Sequence, residues 1–298
     1  MSSMPLSVAL IPLPDRAVIA VGGEDRVSFL QGLVTNDITQ AGTDRALWSA
    51  LLTAQGKFLH EFFIVADGER LLLECESARR DDLLRRLRMF KLRAKVVLAD
   101  LSDSLAVFAR LDGEADAVPG RLWREDAAGI AYTDPRHAGL GTRLILPADR
   151  TPDATGDKAA WDQRRMALGL PDGSRDLLVE KSILLENGFD ELHGIAWTKG
   201  CYVGQELTAR TKYRGLVKKR LIPVRLAGPL PAPGTPITAD GREVGEIRSG
   251  AGDLALAVIR LDALAGTHPL TAGETHVHPA PPDWLVLPKT EGSAPTNG

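Results

Sequence analysis

Apolar positions in this chain change period several times within the first hundred residues. Residues 7–11 and 17–21 are β-prone runs separated by Pro12-Leu13-Pro14-Asp15, so the chain is expected to open as strand, turn and strand. Val27, Leu30 and Val34 then recur at helical spacing behind Asp25, the expected N-cap of a short helix, and Thr35-Asn36-Asp37 follows as a polar loop. Between residues 46 and 76, three strand-like runs are punctuated by Ala54-Gln55-Gly56-Lys57 and by Asp67-Gly68, the spacing of a β-meander. Leu83, Leu87 and Phe90 stand at i, i+4 and i+7 among arginines, which predicts an amphipathic helix over residues 78–92 packed on that sheet. Strands are expected again at 93–99 and 105–111.

A second helix over residues 158–168 should stop at Gly169, with Pro171 just beyond. Gly228-Pro229-Leu230-Pro231-Ala232-Pro233-Gly234-Thr235-Pro236 is a turn-rich break, and the short β-prone runs 243–247 and 254–261 after it suggest a small C-terminal barrel. Strands and helices come in mixed order, which argues for an α+β arrangement and against a doubly wound sheet.

Composition narrows the function classes. The 298 residues, 44% hydrophobic, suffice for two or three packed units, and 36 Lys plus Arg against 39 Asp plus Glu leave a net charge of −3. No global basic field is available to hold nucleic acid. No apolar run reaches the ~18 residues of a membrane span, and neither a secretory signal nor an Arg-rich leader is evident, so the cytoplasm is the expected location. Two cysteines, Cys75 and Cys201, cannot build a disulfide framework or a four-thiolate metal site.

Candidate chemistry concentrates at Thr198-Lys199-Gly200-Cys201-Tyr202-Val203-Gly204-Gln205-Glu206, where two glycines bracket a cysteine and leave its backbone open to close approach. Lys199, Arg210 and a helix beginning near Glu206 would each favour a thiolate, which reads as a reactive or metal-ligating sulfur. A small buried cysteine is the competing reading. Basic stretches at Arg79 to Lys95 and at Arg210 to Arg220 are either solvated faces or attractors for a polyglutamate tail or an acidic partner.

The block Lys199-Gly200-Cys201-Tyr202-Val203-Gly204-Gln205-Glu206 resembles the signature of the YgfZ family, folate-binding relatives of the glycine cleavage T protein that act in iron-sulfur cluster maturation. Its continuation, Leu207-Thr208-Ala209-Arg210-Thr211 and Lys218-Lys219-Arg220-Leu221-Ile222-Pro223-Val224, is similar to the branch that includes the mitochondrial assembly factor for [4Fe-4S] proteins. Phe29-Leu30-Gln31-Gly32-Leu33-Val34-Thr35-Asn36-Asp37, Leu52-Thr53-Ala54-Gln55-Gly56-Lys57 and Lys91-Leu92-Arg93-Ala94-Lys95 also look like family blocks. The resemblance implies a ring of three subdomains around a central channel, with a folate-binding region of two interleaved α+β subdomains over residues 1–214, a β-barrel over 215–288 and a disordered tail over 289–298. It further implies tetrahydrofolate as cofactor, held by Asn36, Asp37, Lys57, Arg165, Tyr202, Gln205, Glu206 and Arg210. Cys201 would ligate a shared or transient iron-sulfur cluster, and the partners would be iron-sulfur assembly proteins or client [4Fe-4S] enzymes.

Two departures separate this chain from the aminomethyltransferases it resembles. Their acidic pair is replaced by His60-Glu61, and Arg165-Met166-Ala167-Leu168-Gly169 carries Ala167 where they offer a glutamate to the pterin. The leading expectation is therefore a folate-binding assembly factor. A one-carbon transferase or demethylase using Glu61 or Asp37 as general base, with Lys199 and Cys201 at the site, remains open, as does an interaction module with an inert thiol.

Overall fold

A computed structural model describes residues 9–113, 117–125, 129–150, 155–285 and 287. The chain enters through β1 (Ile11–Pro12) and β2 (Arg16–Gly22), makes a short helix α1 (Arg26–Gln31), and continues into β3 (Leu47–Leu52), β4 (Phe58–Asp67) and β5 (Arg70–Glu76). Helix α2 (Arg80–Lys91) leads to β6 (Val97–Asp100), and the antiparallel order is β3-β4-β5-β2-β6. A second antiparallel sheet, in the order β1-β7-β10-β9-β8, takes β7 (Leu105–Arg110), β8 (Leu122–Glu125), β9 (Gly129–Thr133) and β10 (Thr142–Pro147).

Strand β4, between β3 and β5, is buried on both faces, which explains why its sequence reads as a nearly continuous apolar run. Phe62 and Ile64 pack under α1 and α2 with Leu83, Leu84 and Leu87, whereas Phe58, Phe63 and Val65 face the second sheet and meet Val107, Ile130, Tyr132 and Ile145. The apolar stripe of α2 ends sooner than its periodicity suggests. Phe90 is 42% exposed, and the buried residues of the helix are Leu83, Leu84 and Leu87.

Other expectations are corrected by local hydrogen bonds. Asp25 occupies the N-cap position of α1 but caps no amide there; its carboxylate accepts the Lys95 amide at 2.7 Å, and the ammonium of Lys95 meets Glu24. That tether keeps residues 93–96 out of the sheet, so β6 starts at Val97. The opening strand expected at 7–11 falls partly outside the described residues and is otherwise reduced to β1, and the expected tail over 289–298 lies outside them altogether.

Helix α3 (Lys158–Ala167) is capped by Asp157, whose carboxylate accepts the Ala159 amide, and is closed by Gly169 at φ +70°. The short α4 (Gly173–Asp176) and α5 (Gln205–Tyr213) follow. Strands β11 (Lys219–Ala227), β12 (Pro236–Ala239), β13 (Arg242–Ala251), β14 (Leu254–Arg260), β15 (Leu270–Ala272) and β16 (Thr275–Pro279), with α6 (Leu261–Leu264) between β14 and β15, close into a barrel in the order β11-β14-β13-β12-β15-β16. Ile222, Val224 and Leu226 fill its interior while Leu221 turns outward onto Met166 of α3, so the period-2 alternation of β11 both fills the barrel and docks it. β16 sets His276 and His278 on its exposed side around buried Val277, and no group of three metal-ligating side chains occurs among the described residues.

His60, on β4, turns toward α2, where its Nε2 lies 2.9 Å from Asp82. Burial, reinforced by Arg79, outweighs Asp82 and lowers the imidazole pKa to about 4. A histidine neutral in the fold and charged in the unfolded chain stabilises the fold above its unfolded value, near 6.5, and that stabilisation is lost as pH falls toward 4. Urea unfolding at pH 7.5 and pH 5 should show about 2 kcal/mol more loss of stability in the native protein than in His60→Gln; equal losses would refute this assignment.

Candidate functional site

Where the two sheets, α3 and the barrel meet, charge replaces the apolar core. Arg16 donates to Glu61 at 2.7 Å and to Glu74 at 3.0 Å, and Glu74 also accepts from Arg143 and the Tyr132 hydroxyl. Asp134 pairs with Arg136, and Asp176 accepts from Arg165 and Ser249, tying the barrel strand β13 into the same network. Burial alone would raise the pKa of Glu74, but Arg143 and Arg16 outweigh it and hold the carboxyl below its ordinary range. Burial likewise opposes the Arg16 charge, and Glu61, Glu74 and Asp172 more than offset it. A residual space of about 10 Å³ among Arg16, Phe63, Arg136, Arg165 and Asp172 has room for a water at most.

Open space lies on either side of this charged partition. One cavity, about 410 Å³, is lined by Asp15, Arg16, Glu76, Asp172 and Arg175; the other, about 510 Å³, by Asn36, Arg45, Trp48, Asp190, His193 and Trp197. Glu61 joins the two floors, since one carboxylate oxygen accepts from Arg16 and the other accepts the Trp48 indole N–H at 2.6 Å. Both oxygens are thus engaged and the side chain is 2% exposed, so Glu61 is not open to a substrate in either cavity. Asp37, the other carboxylate expected as a base, accepts from Thr39 and Gln31 and is held below its ordinary pKa by these bonds.

The larger cavity has aromatic walls with fixed orientations. Trp48 stacks on Phe189 with ring centroids 3.8 Å apart. Trp197 donates its indole N–H to Asp190 at 2.7 Å and carries the Lys212 ammonium 4.1 Å above its ring, while Lys212 also pairs with Asp190. Of the residues expected to hold a cofactor, only Asn36 lines this space. Its amide donates to the carbonyls of Trp48 and His193, both at 2.7 Å. Trp48, Trp197, Asp190, His193 and Arg45 are invisible as a group in the sequence because they come from separate segments, although Trp197 heads the glycine-rich block.

Cys201 lies at the end of a segment that begins in that cavity. Residues 193–203 run along residues 31–37, with Asn36 bonded to His193, Thr35 to Gly194 and Ala196, Gln31 and Val34 to Lys199, and Gly32 to Val203. The Lys199 ammonium donates to the Val34 carbonyl and sits 5.1 Å over the Tyr202 ring; burial lowers its pKa to about 8 against the pull of Asp37. The thiol itself is exposed, and no hydrogen bond or ion pair holds it among the described residues.

Behind Cys201, Gly204 (φ +84°) and Gly56 (φ +67°) press together backbone to backbone. A Cβ on Gly204 would lie 2.6 Å from the Thr53 carbonyl oxygen, so the turn carrying Lys57 and the start of α5 can meet only through glycine. Gln205 and Glu206 form the first turn of α5, and Arg210 lies exposed one turn on. Tyr202 is buried, its phenol pushed up to about 12 by burial. Lys57 does not line the cavity, and Arg165 is buried against Leu170, Asp176 and Ser249, away from the other expected ligands.

Residues 218–287 match the family described as CAF17, C-terminal beta-barrel domain, which agrees with the closed barrel. The chain is 34% identical to the human iron-sulfur cluster assembly factor IBA57, mitochondrial, over 93% of its own length and 85% of the relative's, and 34% identical to the mouse protein over 91% and 84%. The chain belongs to the IBA57 family. A solved structure of the glycine cleavage system aminomethyltransferase T from Bartonella henselae superposes with a TM-score of 0.73, covering 93% of this chain and 86% of that one at 13% identity. This IBA57-family chain therefore has the T-protein-like α+β fold with its C-terminal barrel. The cytoplasmic location expected from the N-terminal residues is overturned, because the curated relatives, including a fungal homologue from Pyricularia oryzae, are mitochondrial by name.

The two thiols differ in access. Burial pushes Cys75 up to about 12, whereas Cys201 faces solvent. Iodoacetamide at pH 8 should modify Cys201 at least ~100-fold faster than Cys75, since only the thiolate reacts; peptide mass mapping over time reads both rates, and comparable rates would contradict the placement of either residue.

Proposed function

We propose that this protein is an iron-sulfur cluster assembly factor for [4Fe-4S] proteins that binds a reduced folate in the Trp48–Trp197 cavity and offers Cys201 as one ligand to a cluster in transit. The observation that carries the reading is an exposed, unpaired Cys201 held on a tethered segment, in a chain 34% identical over 93% of its length to a cluster assembly factor. One accessible thiolate supplies a single ligand where a cubane cluster takes four, so the others come from a partner, either an assembly protein or a client enzyme. The cluster is cargo, not a resident group.

The cavity residues suit a folate in size and chemistry. A volume of about 510 Å³ is in the range of small-molecule sites. Half-buried Trp197 offers ring surface to a flat pterin, Asp190 and the exposed His193 offer polar edges, and the exposed Arg45 is a cation for a glutamate carboxylate. When bound, the folate could carry one-carbon units; this chain's own residues orient it and exclude water from one ring face. The engaged state of Glu61 argues against an aminomethyl transfer in which that carboxylate serves as base.

Cys201→Ser keeps the size of the side chain and removes the soft sulfur that iron prefers. In a host lacking its own factor, the variant should accumulate as folded protein yet restore less than about a tenth of [4Fe-4S] enzyme activity, with heme and [2Fe-2S] enzymes unaffected. Full restoration by folded Cys201→Ser would overturn the ligand role.

A further inference from the structure

The cavity and the thiol lie at the two ends of one segment. His193, Ile195 and Trp197 line the cavity, and Lys199, Gly200 and Cys201 follow directly. Asn36 and Thr35 fix the near end through the His193 and Gly194 carbonyls and the Ala196 amide. Gln31 holds the far end, with Nε2 donating to the Lys199 carbonyl at 3.2 Å and to Asp37 at 2.9 Å while Oε1 accepts the Ile38 amide at 2.8 Å. Asn36 Oδ1 in turn accepts the Asp37 amide at 2.9 Å. An unbroken set of hydrogen bonds thus leads from two carbonyls at the cavity to the peptide just before Gly200.

We infer that occupancy of the Trp48–Trp197 cavity and the reactivity of Cys201 are coupled, with Gln31 as the positioning residue that links them. The inference rests on the folate and thiol assignments above and adds to them how the one site is regulated by the other. A ligand in the cavity meets the side chains of Asn36, His193 and Trp197, so its contacts depend on where the near end of the segment sits. His193 is at φ +59°, a conformation that a non-glycine residue holds where its surroundings impose it, so the near end depends on the bonds from Asn36 and Thr35 and on what fills the cavity. At the far end, Gly200 stands at φ +93° with open space for 4 Å around the point a Cβ would occupy, and Cys201 is exposed, so the thiol loop can shift without displacing packed neighbours. A ligand that shifts the near end therefore acts on the far end through the same bonds, and the effect is reciprocal for binding.

Gln31 does not line the cavity, so its replacement separates transmission from binding. The full chain is titrated with 5-formyltetrahydrofolate by calorimetry, and iodoacetamide modification of Cys201 is followed with and without saturating ligand. Native protein should show at least a threefold ligand-induced change in rate. Gln31→Met, similar in length but without the amide, should bind the folate within about twofold of native affinity while the induced change falls below 1.5-fold. A merely structural Gln31 would alter the basal rate and leave the induced change intact, and that result, or bound folate with no change in the native protein, overturns the proposal. If calorimetry shows no binding, the folate assignment fails, and coupling is decided by the modification rates of His193→Gly, Gln31→Met and the double variant. A departure from additivity of threefold or more sustains the link, and additive effects overturn it. His193→Gly relieves a left-handed backbone and leaves the fold intact.

Discussion

Arg16 is the residue on which the arrangement of the molecule turns. One guanidinium on β2 bonds Glu61 of β4 and Glu74 of β5, and Glu74 carries the bond across to Tyr132 and Arg143 of the second sheet. Removing one member of such a buried set strands its partners at a cost of roughly 3–5 kcal/mol, whereas an apolar replacement of the whole set would cost little or nothing. The network therefore specifies how the sheets face each other more than it adds stability. It also decides the function that the centre can perform. With both Glu61 oxygens engaged and about 10 Å³ left beside Arg16, the middle of the T-protein-like ring is a partition, and ligand-sized space is displaced to its sides.

That partition gives meaning to the segment that carries Cys201. Trp48 is anchored to Glu61 on one side and forms the cavity wall on the other, so the cavity floor is as rigid as the charged centre behind it. From the cavity, residues 193–203 are laid along 31–37 by hydrogen bonds from His193 to Val203, and they carry the exposed Cys201 near their far end. The contact between Gly56 and Gly204 fixes where α5 begins, so the loop between Lys199 and Gly204 is held at both ends and free in the middle.

Much of this is legible in the residues. The β-meander, α2, α3 and the barrel follow from period-2 and period-3.6 patterns with glycine and proline punctuation, and the block around Cys201 points to an accessible sulfur and to the family. Side-chain partners are not legible. Asp25 has the spacing of a helix cap and instead receives an amide seventy residues away; Phe90 fits a helical stripe that ends before it; Arg165 sits in a cofactor-binding motif and instead bonds Ser249 of the barrel. Strand β10 is hidden in the sequence because its apolar run opens on a charge, Arg143, that is buried in a pair with Glu74. The cavity is hidden because its walls are assembled from positions 36, 48, 190 and 197, which no local pattern connects.

One exposed cysteine supplies a single sulfur ligand, so a cluster held through it requires a partner. Native mass spectrometry of the protein after anaerobic incubation with ferrous iron and sulfide measures this directly. The prediction is a cluster-free monomer, with any cluster confined to species that contain a second thiolate-bearing chain. A [4Fe-4S] cluster retained by one chain alone would contradict it.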